Sequence, residues 1–239
     1  MSEEKDLEVF KAPPQAGEVV EISQEAQEEL RRRALALKDN LQQPSTNTIR
    51  TGGKVFTLPD GQKSPGPMFV VVLDFVWDYR YFATDYEAGS PQKADCWAIG
   101  RERDATGKLI PDPKVPNKQA DNCGVCPMNK FKSARVGKGK ACKNQRRLLV
   151  ANPSNLDADP MSLFVSPTGI RNFDSYVTSL ATSRQLLPQQ VITKISFDVL
   201  QTYPTLVFEY EGPHNDVNKA LAMAKQHEQM LFVGPNDTD

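Results

Sequence analysis

Met68-Phe-Val-Val-Val-Leu-Asp-Phe-Val-Trp-Asp-Tyr-Arg-Tyr-Phe82 is a run of β-branched and aromatic residues without Gly or Pro. Such side chains fit a pleated surface, so the run predicts a long β-strand. Side chains alternate along a strand, and strict alternation places Val71, Leu73, Phe75, Trp77, Tyr79 and Tyr81 on one face. The other face turns polar after Val72, with Asp74, Asp78 and Arg80. A strand of this kind bends around a core, which is how small barrels begin.

Working outward, Lys54 to Leu58 predicts a short strand closed by a Pro59-Asp60-Gly61 turn, and Arg146 to Ala151 and Met161 to Ser166 predict two more. Thr168 to Leu180 predicts a helix capped by Thr168, with Ile170, Phe173, Val177 and Leu180 on its apolar side. Val191 to Leu200 and Thr205 to Glu211 predict a hairpin whose core residues are Ile192, Ile195, Phe197, Val199, Leu206 and Phe208. A last helix is expected from about Asp216 to Leu231. At the other end, residues 1–22 are acidic and Pro-containing. A helix capped by Ser23 is expected to follow, with Leu30, Ala34, Leu37 and Leu41 on one face and a solvated Arg31-Arg32-Arg33 run beside Glu28 and Glu29.

The 239 residues are enough for one main domain with additions, and 29 basic against 30 acidic residues give a net charge of −1. Total charge therefore points to neither nucleic acid nor a membrane surface, and any such signal must be local. No stretch reaches the roughly 18 apolar residues of a membrane span, and Met1 to Glu8 is acidic where a secretory signal is basic and then apolar. A soluble, cytoplasmic protein with no membrane partner is expected.

Residues 83–142 are rich in Gly, Pro, Lys and Asp and lack periodicity, so burial alone does not order them. They contain all four cysteines. Cys123-Gly-Val-Cys126 has the spacing at which two thiolates grip one ion, and Gly124 permits the turn. Cys96 and Cys142 lie 26 residues before and 15 after that pair, and no cysteine is left over. In a reducing compartment this reads as one zinc ion held by Cys96, Cys123, Cys126 and Cys142. Four thiolates close the coordination shell, so the ion would be structural. His214 and His227 are far off in sequence and are expected at the surface.

From Pro127 to Arg147 stand Lys130, Lys132, Arg135, Lys138, Lys140, Lys143, Arg146 and Arg147, with no acidic residue. A one-signed run pinned between cysteines makes a local field that attracts phosphate, and Gly137-Lys-Gly-Lys140 adds approachable backbone N–H groups. Single strands also expose base faces that stack on aromatic rings. Tyr79, Tyr81 and Trp97 flank Cys96 and are the candidate platforms, with Trp77 balanced between platform and core and Phe75 assigned to the core.

Asn122-Cys-Gly-Val-Cys-Pro-Met-Asn129 and Gly137-Lys-Gly-Lys-Ala-Cys-Lys-Asn-Gln-Arg-Arg-Leu148 resemble the C-x-x-C-P-x-N and G-K-G-K-A-C-K-x-x-R-R-L signatures of a family of phage-encoded proteins that look like single-stranded DNA-binding proteins. Pro167-Thr168, Tyr176 and the Val191 to Phe208 hairpin extend the resemblance over roughly residues 95–210. A looser similarity is to the T4-type helix-destabilising protein, a barrel with an inserted zinc subdomain, which implies DNA in a basic cleft between zinc module and barrel. This chain has four cysteines where that protein includes a histidine, and it lacks a long acidic C-terminal region.

The fold expected is β-rich α+β. Residues 48–95 and 143–211 form an oligonucleotide-binding barrel with one helix, 96–142 a zinc-binding basic insertion, 1–47 an acidic arm and helix, and 212–239 a C-terminal helix and tail. The function expected is non-enzymatic, sequence-tolerant binding of single-stranded DNA, protecting replication or recombination intermediates of a phage. Phage or host replication proteins are further partners, and the host cytoplasm is the compartment. Two rivals stand beside it. One is a zinc-ribbon nuclease or primase component with Asp74, Asp78 and Asp85 around magnesium. The other is a zinc-module interaction protein that recruits a replication factor.

Overall fold

The long strand forms, but it does not keep one face. In the computed structural model, which describes residues 23–26, 28–29, 32–33, 47–84, 92–101 and 109–237, strand β4 runs Met68–Tyr81 and its register against β6 (Lys143–Ala151) shifts between Val72 and Asp74. One extra residue at Leu73 reverses the alternation. Val70 and Val72 therefore share a side with Phe75, while Val71 and Leu73 lie opposite with Val76. The expectation that Val71 and Leu73 align with Phe75, Trp77, Tyr79 and Tyr81 is corrected on this point. The backbone groups around the bulge find partners, because Gln189 Nε2 donates to the Leu73 carbonyl at 2.8 Å and the Phe75 N–H donates to Asp74 Oδ1 at 2.7 Å.

β4 is the centre of a seven-stranded sheet. Besides β6, the other strands among the described residues are β1 (Thr48–Ile49), β5 (Cys96–Gly100), β7 (Met161–Val165), β8 (Val191–Phe197) and β9 (Leu206–Pro213), and the order is β1-β7-β6-β4-β8-β9 with β5 also on β4. Among the described residues, only the β1–β7 pair is parallel. β8 pairs with Met68–Val70 and β5 with Trp77–Tyr81, so β4 is shared between two neighbours on one edge and the sheet curls into a half-barrel. Phe56–Thr57 (β2) and Lys63–Ser64 (β3) form a separate small ribbon around the expected turn at Gly61.

Helix α1 (Ile170–Ser179) lies in the concave side, burying Phe173 and Tyr176 against Val70, Leu148, Leu163, Ile195, Leu206 and Phe208. It is prolonged by a wider, π-helical turn, Leu180–Arg184. Thr168 is not its cap. Gly169 takes that position without a side-chain bond, and the Thr168 hydroxyl instead meets those of Ser166 and Thr205. The hairpin forms as expected except at two positions: Val199 at its tip is exposed rather than core, and beside the register shift between Ile192 and Thr193 it is Val191, not Ile192, that enters the core. Helix α2 (Val217–Gln226), capped by Asp216 through the Lys219 N–H, covers the convex side with Ala220, Met223 and the following Leu231.

The chain divides into two units, Met1–Gln43 and Pro44–Asp239. In the first, residues 24–26, 28–29 and 32–33 are helical. The Ser23 hydroxyl accepts from Ala26 N, and Arg32 and Arg33 both pair with Glu29, which uses them within the helix surface. The expected arm at 1–22, the apolar positions Leu30, Ala34, Leu37 and Leu41, and Arg31 lie outside the described residues. Among those described, no helix is long and apolar enough to cross a membrane.

A buried ion network ties the convex side together. Asp78 is 0% exposed and accepts from both Arg80 and Arg147. Arg147 Nη1 also donates to the carbonyls of Leu231 at 3.0 Å and Val233 at 2.7 Å, fastening the C-terminal segment to the sheet. Burial by itself would raise the Asp78 carboxyl, but the hydrogen bonds and charges of Arg80 and Arg147 outweigh it and hold the group below its usual range. Asp78→Asn is expected to cost about 3–5 kcal/mol in urea unfolding at neutral pH, since it leaves buried guanidinium charge uncompensated. The contribution of Asp78 is present above its unfolded value of about 3.9 and lost as pH falls through the lower folded value. Wild type should therefore lose more stability than Asp78→Asn on acidification, and equal losses would contradict this.

Candidate nucleic-acid interface

Between Leu109 and β6 the chain has no strand, and it is ordered by local hydrogen bonds. The Asn122 side chain accepts from the N–H groups of Gly124 and Val125 at 2.9 and 3.1 Å, making the Cys123-to-Cys126 turn an Asx turn. Gly124 is not among the positive-φ residues, so the turn rests on Asn122 and not on glycine's freedom. Asn129 Nδ2 donates to the Cys123 carbonyl at 2.7 Å, and Cys142 N donates to the Met128 carbonyl at 2.8 Å, closing the loop at its base. Inside it, the Ser133 hydroxyl reaches the Met128 and Lys130 carbonyls and accepts from Ala141 N at 2.9 Å. Gly137, at φ +80°, makes the reversal that lets Lys132 N reach the Lys138 carbonyl.

The four cysteines are brought together. Cys96 stands on β5, Cys142 directly precedes β6, and both join Cys123 and Cys126 around one cavity of about 20 Å³, room for a single water-sized body. All four are buried and none is in a disulfide. Burial pushes the Cys123 and Cys142 thiols up to about 12, with the charge of the neighbouring sulfurs adding to the shift, and burial raises Cys96 as well. As the side chains stand, no three His, Cys, Asp or Glu residues among those described converge as a ready metal group. Protonated thiols gain nothing by pointing at a common centre, whereas a divalent cation would draw deprotonated sulfurs inward. The segment is not a separate subdomain, because Cys96–Gly100 is a strand of the main sheet and Trp77, Tyr79 and Ala98 of that sheet pack against Cys123 and Cys142. His227 ends α2 and is half-buried, while His214 is buried and not at the surface. Its Nδ1 has no hydrogen-bond partner among the described residues.

The basic residues separate into three groups. Lys130, Lys132, Arg135, Lys138 and Lys143 are exposed, and Lys140 is half-buried with its ammonium 3.1 Å from Asn129 Oδ1. Arg146 is buried, its guanidinium carbon 3.4 Å from the Trp77 ring centroid and its Nη2 2.9 Å from Asp174. Arg147, paired with Asp78 on the convex side, points away from the loop and has no surface to offer a strand. Of the expected platforms, Tyr79 is 4% and Trp97 3% exposed, so neither presents a ring face, and Tyr81 is half-buried beside the cysteines. Trp97 pairs in register with Arg80 and faces the convex side, near Gly234. Asp74 pairs with Arg101 and Asp78 with two arginines; Asp85 lies outside the described residues.

An aromatic residue that periodicity could not flag takes their place. Phe131 is 76% exposed, with the Lys140 ammonium 5.2 Å from its ring centroid. Its one sequence signal is an aromatic set between Lys130 and Lys132 in a stretch with no apolar period. Phe131, Lys140 and Lys143 form one wall of an open groove of about 1020 Å³, and α1 with its π-helical extension forms the other, through Arg171 and the hydroxyls of Ser175, Thr178 and Thr182. Trp77 and Asn144 lie at the base, and Asp174, the carboxylate in the lining, is engaged by Arg146. No family model matches the chain, and no curated protein or solved structure matches it significantly.

Because Ser133 acts within the loop, bridging Met128 and Lys130 to Ala141, Ser133→Ala should leave the unfolding midpoint of the sheet nearly unchanged. It should speed amide exchange at Ala141 by about tenfold, the equivalent of a buried hydrogen bond of about 1–2 kcal/mol. Unchanged exchange at that amide would show that the hydroxyl does not order the loop.

Proposed function

We propose that the chain binds single-stranded DNA without sequence preference, in the groove between the basic loop and α1, and that one structural zinc ion on Cys96, Cys123, Cys126 and Cys142 fixes the loop. The observation that carries this reading is the groove itself, with cationic side chains on both walls and an exposed ring at its rim. Lys143, Arg171 and Lys140 would take phosphates, and Phe131 would stack a base, while the Ser175 hydroxyl adds a neutral donor; the Thr178 and Thr182 hydroxyls already donate to carbonyls of their own helix. A duplex hides its base faces and offers Phe131 nothing to stack on. The fold is compatible with an oligonucleotide-binding barrel, and protection of replication or recombination intermediates follows from the resemblance of the cysteine and lysine signatures. Binding, not catalysis, is the role that suits a site whose carboxylate is already paired.

Fluorescence titration with oligo-dT and an equal-length duplex tests the reading. Affinity should fall with salt at about 0.7 log units per log unit for each phosphate neutralised, so Lys143→Ala with Arg171→Ala should lower the slope by about 1.4. Phe131→Ala should weaken single-strand binding by about 1–3 kcal/mol and leave duplex binding unchanged. Equal affinity for both forms, or a salt-independent affinity, would overturn the proposal.

Zinc is tested separately. Metal analysis should give one zinc per chain, abolished in Cys123→Ser. Because burial raises the Cys96, Cys123 and Cys142 thiols, zinc must displace their protons, and its affinity should fall as pH falls from 7.5 toward about 5. Zinc content below a tenth of an equivalent, or pH-independent binding, would remove the metal from the account.

A further inference from the structure

On the convex side, away from the groove, a cavity of about 310 Å³ opens between the sheet and the C-terminal segment. Its floor is the buried ion network. Asp78 carries one negative charge, and two guanidiniums, Arg80 and Arg147, are committed to it. Among the described residues neither arginine meets another carboxylate, so the cluster holds a net positive charge beneath a cavity. Arg147 is nearly satisfied, spending Nε and Nη2 on Asp78 and Nη1 on backbone carbonyls. Arg80 is not. Its Nε and Nη2 bond Asp78 at 2.8 Å each, its Nη1 has no protein acceptor among the described residues, and its side chain is 19% exposed.

A second guanidinium is more than Asp78 needs. One arginine neutralises a buried carboxylate, and an added cation at the edge of a low-dielectric interior costs free energy unless an anion answers it. The surroundings suit such an anion. Ser162 and Thr48, adjacent in register on β7 and β1, bring hydroxyls to the same cavity, and the Phe164 ring lies under both guanidiniums, at 4.8 and 5.2 Å from the centroid, holding them flat. Planar guanidinium donors with hydroxyls beside them are the set that recognises a small oxyanion.

We propose that this cavity is a second, independent binding site for a phosphate group, with Arg80 as its principal donor and Ser162 and Thr48 completing the set. The phosphate comes either as the free ion or as the terminal phosphate of a nucleotide. The site lies on the face opposite the groove and does not depend on the single-strand reading.

Thermal unfolding of the full chain, titrated with inorganic phosphate against chloride of matched ionic strength, tests it. A parallel arm uses thymidine 5′-monophosphate against thymidine. Wild type should gain a saturable rise in Tm with phosphate, and a rise that saturates earlier with the nucleotide assigns the terminal phosphate as the natural source. Arg80→Gln should weaken phosphate at least about tenfold, the worth of charge-assisted hydrogen bonds. Ser162→Asp should raise Tm in the absence of phosphate and abolish the response, because the anion is then supplied by the chain; this variant remains informative if Arg80→Gln does not fold. Oligo-dT affinity should be unchanged in either variant. No rise in wild type with either probe, or an equal rise in Ser162→Asp, would overturn the proposal.

Discussion

One extra residue in β4 decides which chemistry appears on which side of the sheet. Before the Leu73 bulge, Val71 and Leu73 face α2; after it, that face continues as Val76, Asp78 and Arg80, while Phe75, Trp77 and Tyr79 turn toward α1 and the cysteines. Without the bulge, the carboxylate of Asp78 would be aimed at the thiols and the rings at the C-terminal segment. The bulge is held by two side chains, Gln189 and Asp74, each supplying a backbone group with the partner the ladder cannot.

Adjacent arginines on β6 inherit opposite fates from the same alternation. Arg146 faces Trp77 and backs that ring at the base of the groove, held flat by stacking and by Asp174. Arg147 faces Asp78 and becomes structural, its remaining donors anchoring the C-terminal segment. Lys130, Lys132 and Lys138 follow no such alternation, because they stand on a loop shaped by the hydrogen bonds of Asn122, Asn129 and Ser133. That loop brings positive charge to one wall of the groove while α1 brings Arg171 to the other.

Much was legible from local pattern. The long strand, the β6 and β7 strands, α1, the hairpin and the Asp216-capped helix all came from periodicity and turn chemistry, which act over a few residues. The cysteine cluster was legible because four thiols in one non-periodic segment have few other reasons to occur together. β5 was missed, since Cys96–Gly100 is a short run whose strand character comes from pairing with Trp77–Tyr81. The burial of Tyr79 and Trp97 leaves no sequence signal for a related reason, because an aromatic stripe reads the same whether it faces solvent or a second layer.

The sequence by itself determined the elements, the thiol set and the one-signed charge of the 127–147 segment, because each is written in consecutive or regularly spaced residues. Tertiary structure alone decided the side of the sheet each residue serves, the burial of Tyr79, Trp97 and Arg147, the exposure of Phe131, and the doubled arginines over Asp78. Those outcomes depend on a single unpaired residue in a ladder and on what packs above it from far along the chain, and neither leaves a local pattern to read.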